Sequence, residues 1–190
     1  MITALDKNTA LVLIDLQKGV VGLTLAHPVA DILANSAKLV AAFRKAGLPI
    51  VIVNVNPAGA AWLKARKEPA AGPPRPHQAD WIEITPEIKT EPGDIFITKQ
   101  TWGAFYETQL DEELKKIGVT GIVLAGVSTS AGVEGTARQA SERAYNITFA
   151  KDAITDMVAE AHERSLKYIF PRIGEIGDTE DVIKQLAVLS

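Results

Sequence analysis

The 190-residue chain contains no cysteine and carries a formal net charge of −3. That excludes disulfides, thiolate metal sites and a cysteine nucleophile, and gives no electrostatic basis for binding nucleic acid or an anionic membrane. No apolar run approaches the roughly 18 residues of a membrane helix and no basic-then-apolar leader opens the chain, so one soluble, cytoplasmic domain over residues 1–190 is expected.

Residues 9–15 form an apolar run closed by Asp15. The run reads as a strand buried on both faces, as in a parallel sheet. Asp15 then either caps a turn before Gly19 or stands as a reactive carboxylate at the sheet edge where α/β folds bind ligands. Residues 28–46 repeat apolar side chains at helical spacing, with Pro28 in the first turn and Gly47 as the stop. A second buried strand over 49–54 implies a right-handed parallel crossover.

Residues 56–93 hold seven of the ten prolines, and a Pro-rich insertion of this length serves as a lid, a binding loop or an oligomer arm. A short helix is expected at 60–67, with Trp62 and Trp81 packing the insertion down. Arg75 is either a solvated cation or a contact for an anionic ligand.

A third strand over 94–99 ends in Lys99, and a lysine at the inner end of a buried strand needs a partner, for which Asp15 is the obvious group. Residues 103–110 lead into a helix turning Leu110, Leu114 and Ile117 inward. The fourth strand, 122–125, breaks at Gly126-Val-Ser-Thr129 and turns straight into a helix. The amides of Ala131, Gly132 and Val133 at its start can hold a carbonyl oxygen or carboxylate. Gly132 and Gly135 each cost that helix about 1 kcal/mol relative to alanine, which a close approach of ligand or backbone would offset. Ser130 is placed as its N-cap. A fifth strand over 145–150, an amphipathic helix over 158–170 with His162 as a packed core histidine, a short strand at 172–176 and a helix over 179–189 capped by Thr179 complete the chain. The three histidines share no ligand spacing, so neither metal nor cofactor is expected.

Asp15, Lys99 with Phe105 and Thr108 after it, Gly126-Val-Ser-Thr129, Val133-Glu134, Thr136-Ala-Arg138 and Lys151-Asp152-Ala together resemble the isochorismatase-like hydrolase family, over roughly residues 9–181. The resemblance implies a three-layer α/β/α Rossmann-like fold with a six-stranded parallel sheet, a cis peptide at Val127–Ser128, and a homo-oligomer, dimer or larger. It also implies a substrate site built from Asp15, Lys99 and position 132, with Phe105, Ser128, Thr129, Ser130, Ala131 and Arg75 as binding residues.

The departure from the family pattern is at position 132. Most members carry an Asp–Lys–Cys triad, and Gly132 stands where their cysteine stands. The metal motif of nicotinamidase-like members is likewise replaced, by Asn54-Val-Asn56. True isochorismatases also have glycine there and use the aspartate as a general acid on a vinyl ether, releasing pyruvate. The expected activity is therefore a thiol-free hydrolase acting on a small carboxylate-bearing metabolite through Asp15 and Lys99. The alternatives are a non-catalytic small-molecule-binding pseudoenzyme and a serine-dependent, amidase-like hydrolase.

Overall fold

The computed structural model describes residues 1–68 and 78–189. The elements run β1 (Thr9–Ile14), α1 (Lys18–Val21), α2 (Val29–Lys45), β2 (Ile50–Val55), β3 (Ile95–Lys99), α3 (Leu110–Lys116), β4 (Gly121–Val127), α4 (Glu134–Ser141), β5 (Asn146–Thr155), α5 (Ala159–Arg164), β6 (Glu175–Gly177) and α6 (Thr179–Leu189). The strands form one six-stranded sheet in the order β3-β2-β1-β4-β5-β6, and every pairing in it is parallel. This is the doubly wound arrangement expected from strands that alternate with helices.

All six residues of β1 and all seven of β4 are buried, because helices cover both faces of the sheet. One face packs Leu11, Leu13, Ile50, Ile52 and Val123 against Leu39 and Phe43 of α2 and Leu186 of α6. The other packs Ala10, Val12, Val51, Val53 and Leu124 against Leu110 and Leu114 of α3 and Ala137 and Ala140 of α4. No helix among the described residues is long and apolar enough to cross a membrane.

Several boundaries differ from the sequence reading, each for a local reason. Pro28 sits at the N-cap of α2 rather than inside its first turn. Ile117 is 45% exposed, because α3 ends at Lys116 one residue before it. The expected helix at 60–67 is a single 3-10 turn over Ala61–Lys64. The helix expected to run to residue 170 is short: α5 passes into a π-helical turn over Ser165–Ile169 and a 3-10 turn over Phe170–Arg172. Thr179 is the first residue of α6 rather than the residue before it; its amide and hydroxyl both donate to Asp152 Oδ1, at 2.7 and 2.8 Å.

The largest difference is in β5, which does not stop at residue 150. Between the pairs Leu124↔Phe149 and Gly126↔Ile154, β4 advances from 124 to 126 while β5 advances from 149 to 154. Lys151 and Asp152 lie within this bulge, and the strand then resumes to deliver Asp156 to the same sheet edge as Asp15.

Candidate active site

The strand order reverses between β1 and β4, so the crevice beyond their carboxyl ends is where an open α/β sheet binds ligands. Asp15 follows β1 with φ 52°, a left-handed conformation unusual for a residue with a side chain. Its amide donates to Val53 O at 2.9 Å. Lys99 closes β3, two strands away, and its long side chain crosses the end of β2 to donate from Nζ to Asp15 Oδ2 at 2.7 Å and to Thr101 O at 3.0 Å. Lys99 is 2% and Asp15 5% exposed.

Burial pushes the Asp15 carboxyl up to about 6, against the opposing charge and hydrogen bond of Lys99. Its Oδ1 is buried and has no hydrogen-bond partner among the described residues. A carboxyl with one oxygen fixed by a lysine and the other unsatisfied is poised to exchange a proton with a bound molecule.

The turn after β4 faces this pair. At Gly126, with φ 121°, an added Cβ would lie 2.0 Å from Ile14 O, so the close approach of β1 and β4 at the site requires glycine. The Val127–Ser128 peptide is cis. A π-helical turn, Thr129–Val133, then leads into α4, and Ser128 O accepts from the amides of Ala131 and Val133. A Cβ built on Gly132 would lie 3.2 Å from Asp15 Oδ2, 3.0 Å from Ile14 Cγ2 and 3.3 Å from Val127 O. Position 132 is therefore in direct contact range of the Asp15 carboxylate. Thr136 ties this turn to the segment after Lys99, donating to Gly132 O at 2.7 Å and accepting from the Ala104 amide at 3.0 Å.

Ser128 and Ser130 do not point at Asp15. Both hydroxyls donate to Asp156 Oδ2, at 2.7 and 2.8 Å, as does the Ser130 amide at 2.7 Å. Ser130 is thus not the N-cap that its sequence position implied; Ser128 holds that place, without a capping bond of its own. Burial raises the Asp156 carboxyl, but these hydrogen bonds outweigh it and hold it below the ordinary aspartate range. A carboxylate so stabilised is a weak base, which counts against a serine nucleophile here.

Thr129 is fully buried and bonds His162 Nδ1 at 2.7 Å. His162 is a packed core histidine, as its place on the apolar helix face suggested. His27, 135 positions earlier in the chain, lies beside it with ring centroids 4.6 Å apart and bonds Thr155 at 2.9 Å. Burial, with the His27 ring second, lowers the His162 pKa.

The remaining expected residues fall in different places. Phe105 is 4% exposed and packs in the core against Tyr145, with the rings tilted and their centroids 5.7 Å apart. Asp152 joins β5 to α6 and to Asn35 of α2. Arg75 lies outside the described residues. Trp81 packs over Gly19 as expected of a residue anchoring the insertion, whereas Trp62 is 38% exposed and lines an open cleft.

Two groups the sequence reading passed over complete the frame. Asp156 organises the turn after β4. Gln17, fully buried, donates from Nε2 to Val55 O and Trp81 O, both at 3.0 Å, and accepts from the Val55 amide at 2.6 Å. It locks the ends of β1 and β2 to the insertion. Its signal was its position two residues beyond a strand-end acid.

A doubly wound sheet with a buried carboxylate–lysine pair and a helix amino terminus at its switch point defines a Rossmann-like α/β protein with an enzyme-type site. The chain belongs to the isochorismatase family of hydrolases: the model for the Isochorismatase domain matches residues 9–181. It is 43% identical to the uncharacterized isochorismatase family protein YwoC of Bacillus subtilis, over 95% of both chains. It is 29% identical to the ureidoacrylate amidohydrolase RutB of Methylobacterium radiotolerans, covering 84% of this chain and 69% of that one. Among solved structures, an isochorismatase family protein from Burkholderia thailandensis superposes with a TM-score of 0.91 at 37% identity, over 98% of this chain and 100% of that one.

Proposed function

We propose that this chain is a thiol-free hydrolase for a small carboxylate-bearing metabolite, with Asp15 as the acid/base group and Lys99 as its partner. The observation that carries the reading is the buried Lys99–Asp15 contact, with Asp15 Oδ2 beside Gly132 and Oδ1 left without a hydrogen-bond partner among the described residues. In relatives that carry a cysteine at this position, a thiol would fill the space in front of the carboxylate. Here glycine leaves the carboxylate without a thiol beside it.

A vinyl ether suits the groups present. Protonated Asp15 delivers its proton to the terminal methylene carbon, and the electron pair left on the ether oxygen stabilises the resulting oxocarbenium ion. Water adds to that ion, and the hemiketal releases an alcohol and a keto acid. Lys99 offsets the negative charge Asp15 acquires as it gives up the proton. The Gly132 amide, in the turn leading into α4, is the proposed donor to a substrate oxygen. Arg75 is proposed as the group that binds the substrate carboxylate. The same acid–lysine pair, acting as a base on water, would serve an amide such as the one the RutB relative is named for, and the pH dependence of the reaction separates the two.

The test is product analysis with isochorismate, chorismate and small carboxylate-bearing amides, on the wild-type chain and on Asp15→Asn. Turnover by the wild type that disappears in a folded Asp15→Asn variant is expected. Undiminished activity in that variant would remove Asp15 from the mechanism, and binding without product would make the chain a non-catalytic binding protein.

A further inference from the structure

An open cleft of about 520 Å3 lies beside the strand ends, between the 3-10 turn Ala61–Lys64, residues 100–107 and one face of α4. Trp62, Trp102 and Tyr106 line it, and are 38%, 59% and 53% exposed. Large aromatic side chains left open around one cavity offer ring faces that a ligand can cover.

The charged groups in the lining decide what kind of ligand fits. Arg138 is already engaged: its Nε and one terminal nitrogen lie 2.9 and 2.8 Å from Glu134 Oε1. Glu107 and Glu142 form no ion pair among the described residues. Glu107 holds φ 52° in the cleft wall, a left-handed conformation that a residue with a side chain adopts when its surroundings enforce it. The chain shows the matching chemistry on one of these rings, where Lys67 Nζ sits 4.5 Å from the Trp62 centroid and donates to Trp62 O at 3.1 Å.

We propose that this cleft is a binding site for an organic ammonium group, held by the ring faces of Trp102 and Tyr106 and by the carboxylates of Glu107 and Glu142, with Trp62, one face of which Lys67 covers, as the opposite wall. Ring quadrupoles attract a weakly hydrated cation, and two unpaired carboxylates add a charge preference that an apolar cleft lacks. The cleft adjoins the catalytic pair through Thr101, whose carbonyl accepts from Lys99. The proposal is one of binding, and it holds whichever bond Asp15 acts on.

Two of the three tryptophans line the cleft, so intrinsic fluorescence reports on it directly. The full chain is titrated at fixed ionic strength with choline, with its uncharged carbon isostere 3,3-dimethylbutan-1-ol, and with benzoate. A saturable change with choline is expected, with an affinity about tenfold above that of the isostere. The exposed double variant Glu107→Gln/Glu142→Gln should lose most of that preference while its Tm stays unchanged, and Trp102→Leu should weaken choline binding several-fold. Equal affinity for choline and its isostere, a preference for benzoate, no saturable change, or wild-type choline affinity in the double variant would each overturn the proposal.

Discussion

Replacing Gly132 with alanine tests the geometry of the site without removing any group assigned to the chemistry. Two opposing effects meet there. Alanine in place of a helical glycine stabilises by about 1 kcal/mol, through unfolded-state entropy and helix propensity. Against that, the new methyl would stand 3.0 Å from Ile14 Cγ2, 3.2 Å from Asp15 Oδ2 and 3.3 Å from Val127 O. The Ile14 methyl can yield by a few tenths of an ångström, but the Val127 carbonyl belongs to the end of a fully buried strand and the Asp15 oxygen is fixed by Lys99. Overpacking of this kind costs about 1–3 kcal/mol, so a net loss of about 1 kcal/mol is expected. For a chain of this size that lowers Tm by roughly 2–4 °C. Thermal unfolding of the variant beside the wild type is the assay. A rise in Tm of the size a glycine-to-alanine exchange normally gives would show that position 132 has room, and the argument that it abuts Asp15 would fail.

Gln17→Ala strands the buried Val55 amide and takes a donor from the Val55 and Trp81 carbonyls, of which the second keeps the Gly19 amide. A loss of about 3 kcal/mol is expected in urea unfolding, and a loss below about 0.5 kcal/mol would mean that the strut is dispensable. Asp15 also imposes a pH dependence on stability. Its folded pKa of about 6 lies above the ordinary 3.8, so the folded state holds the proton more tightly than the unfolded chain. The stabilisation this group gives is present below about pH 4 and is lost as pH rises to about 6, by roughly 3 kcal/mol in all. Stability measured relative to Asp15→Asn should therefore fall across that window. A difference that is flat, or that rises with pH, would contradict the assigned direction.

Much of this site could be read from residue order alone, and the reason is physical. Strands buried on both faces are continuous apolar runs, so a charge that closes one, such as Asp15 or Lys99, stands out. Their contact followed from the cost of leaving either group unpartnered. Asp156 escaped notice because the β5 bulge puts Lys151 and Asp152 in mid-strand, and two charged residues there look like a strand's end. The His27–His162 pair and the aromatic cleft are assembled from segments far apart in sequence, and no local pattern marks such contacts. Phe105 misled for the opposite reason: it lies close to Lys99 in sequence, yet its backbone turns the ring into the core against Tyr145. Ser130 stands at a cap-like place in the sequence, but its hydroxyl donates to Asp156, which no local pattern marks.

The central claim is that Asp15 supplies a proton without help from a thiol. Its most direct test is the pH dependence of kcat/KM for isochorismate, measured with the wild type and with Asp15→Asn. A proton donor with a pKa of about 6 predicts a rate that is level below that pH and falls about tenfold per unit above it, with no activity in the variant. A rate that climbs through pH 6 to 8, or a variant that keeps the wild-type profile, would contradict it.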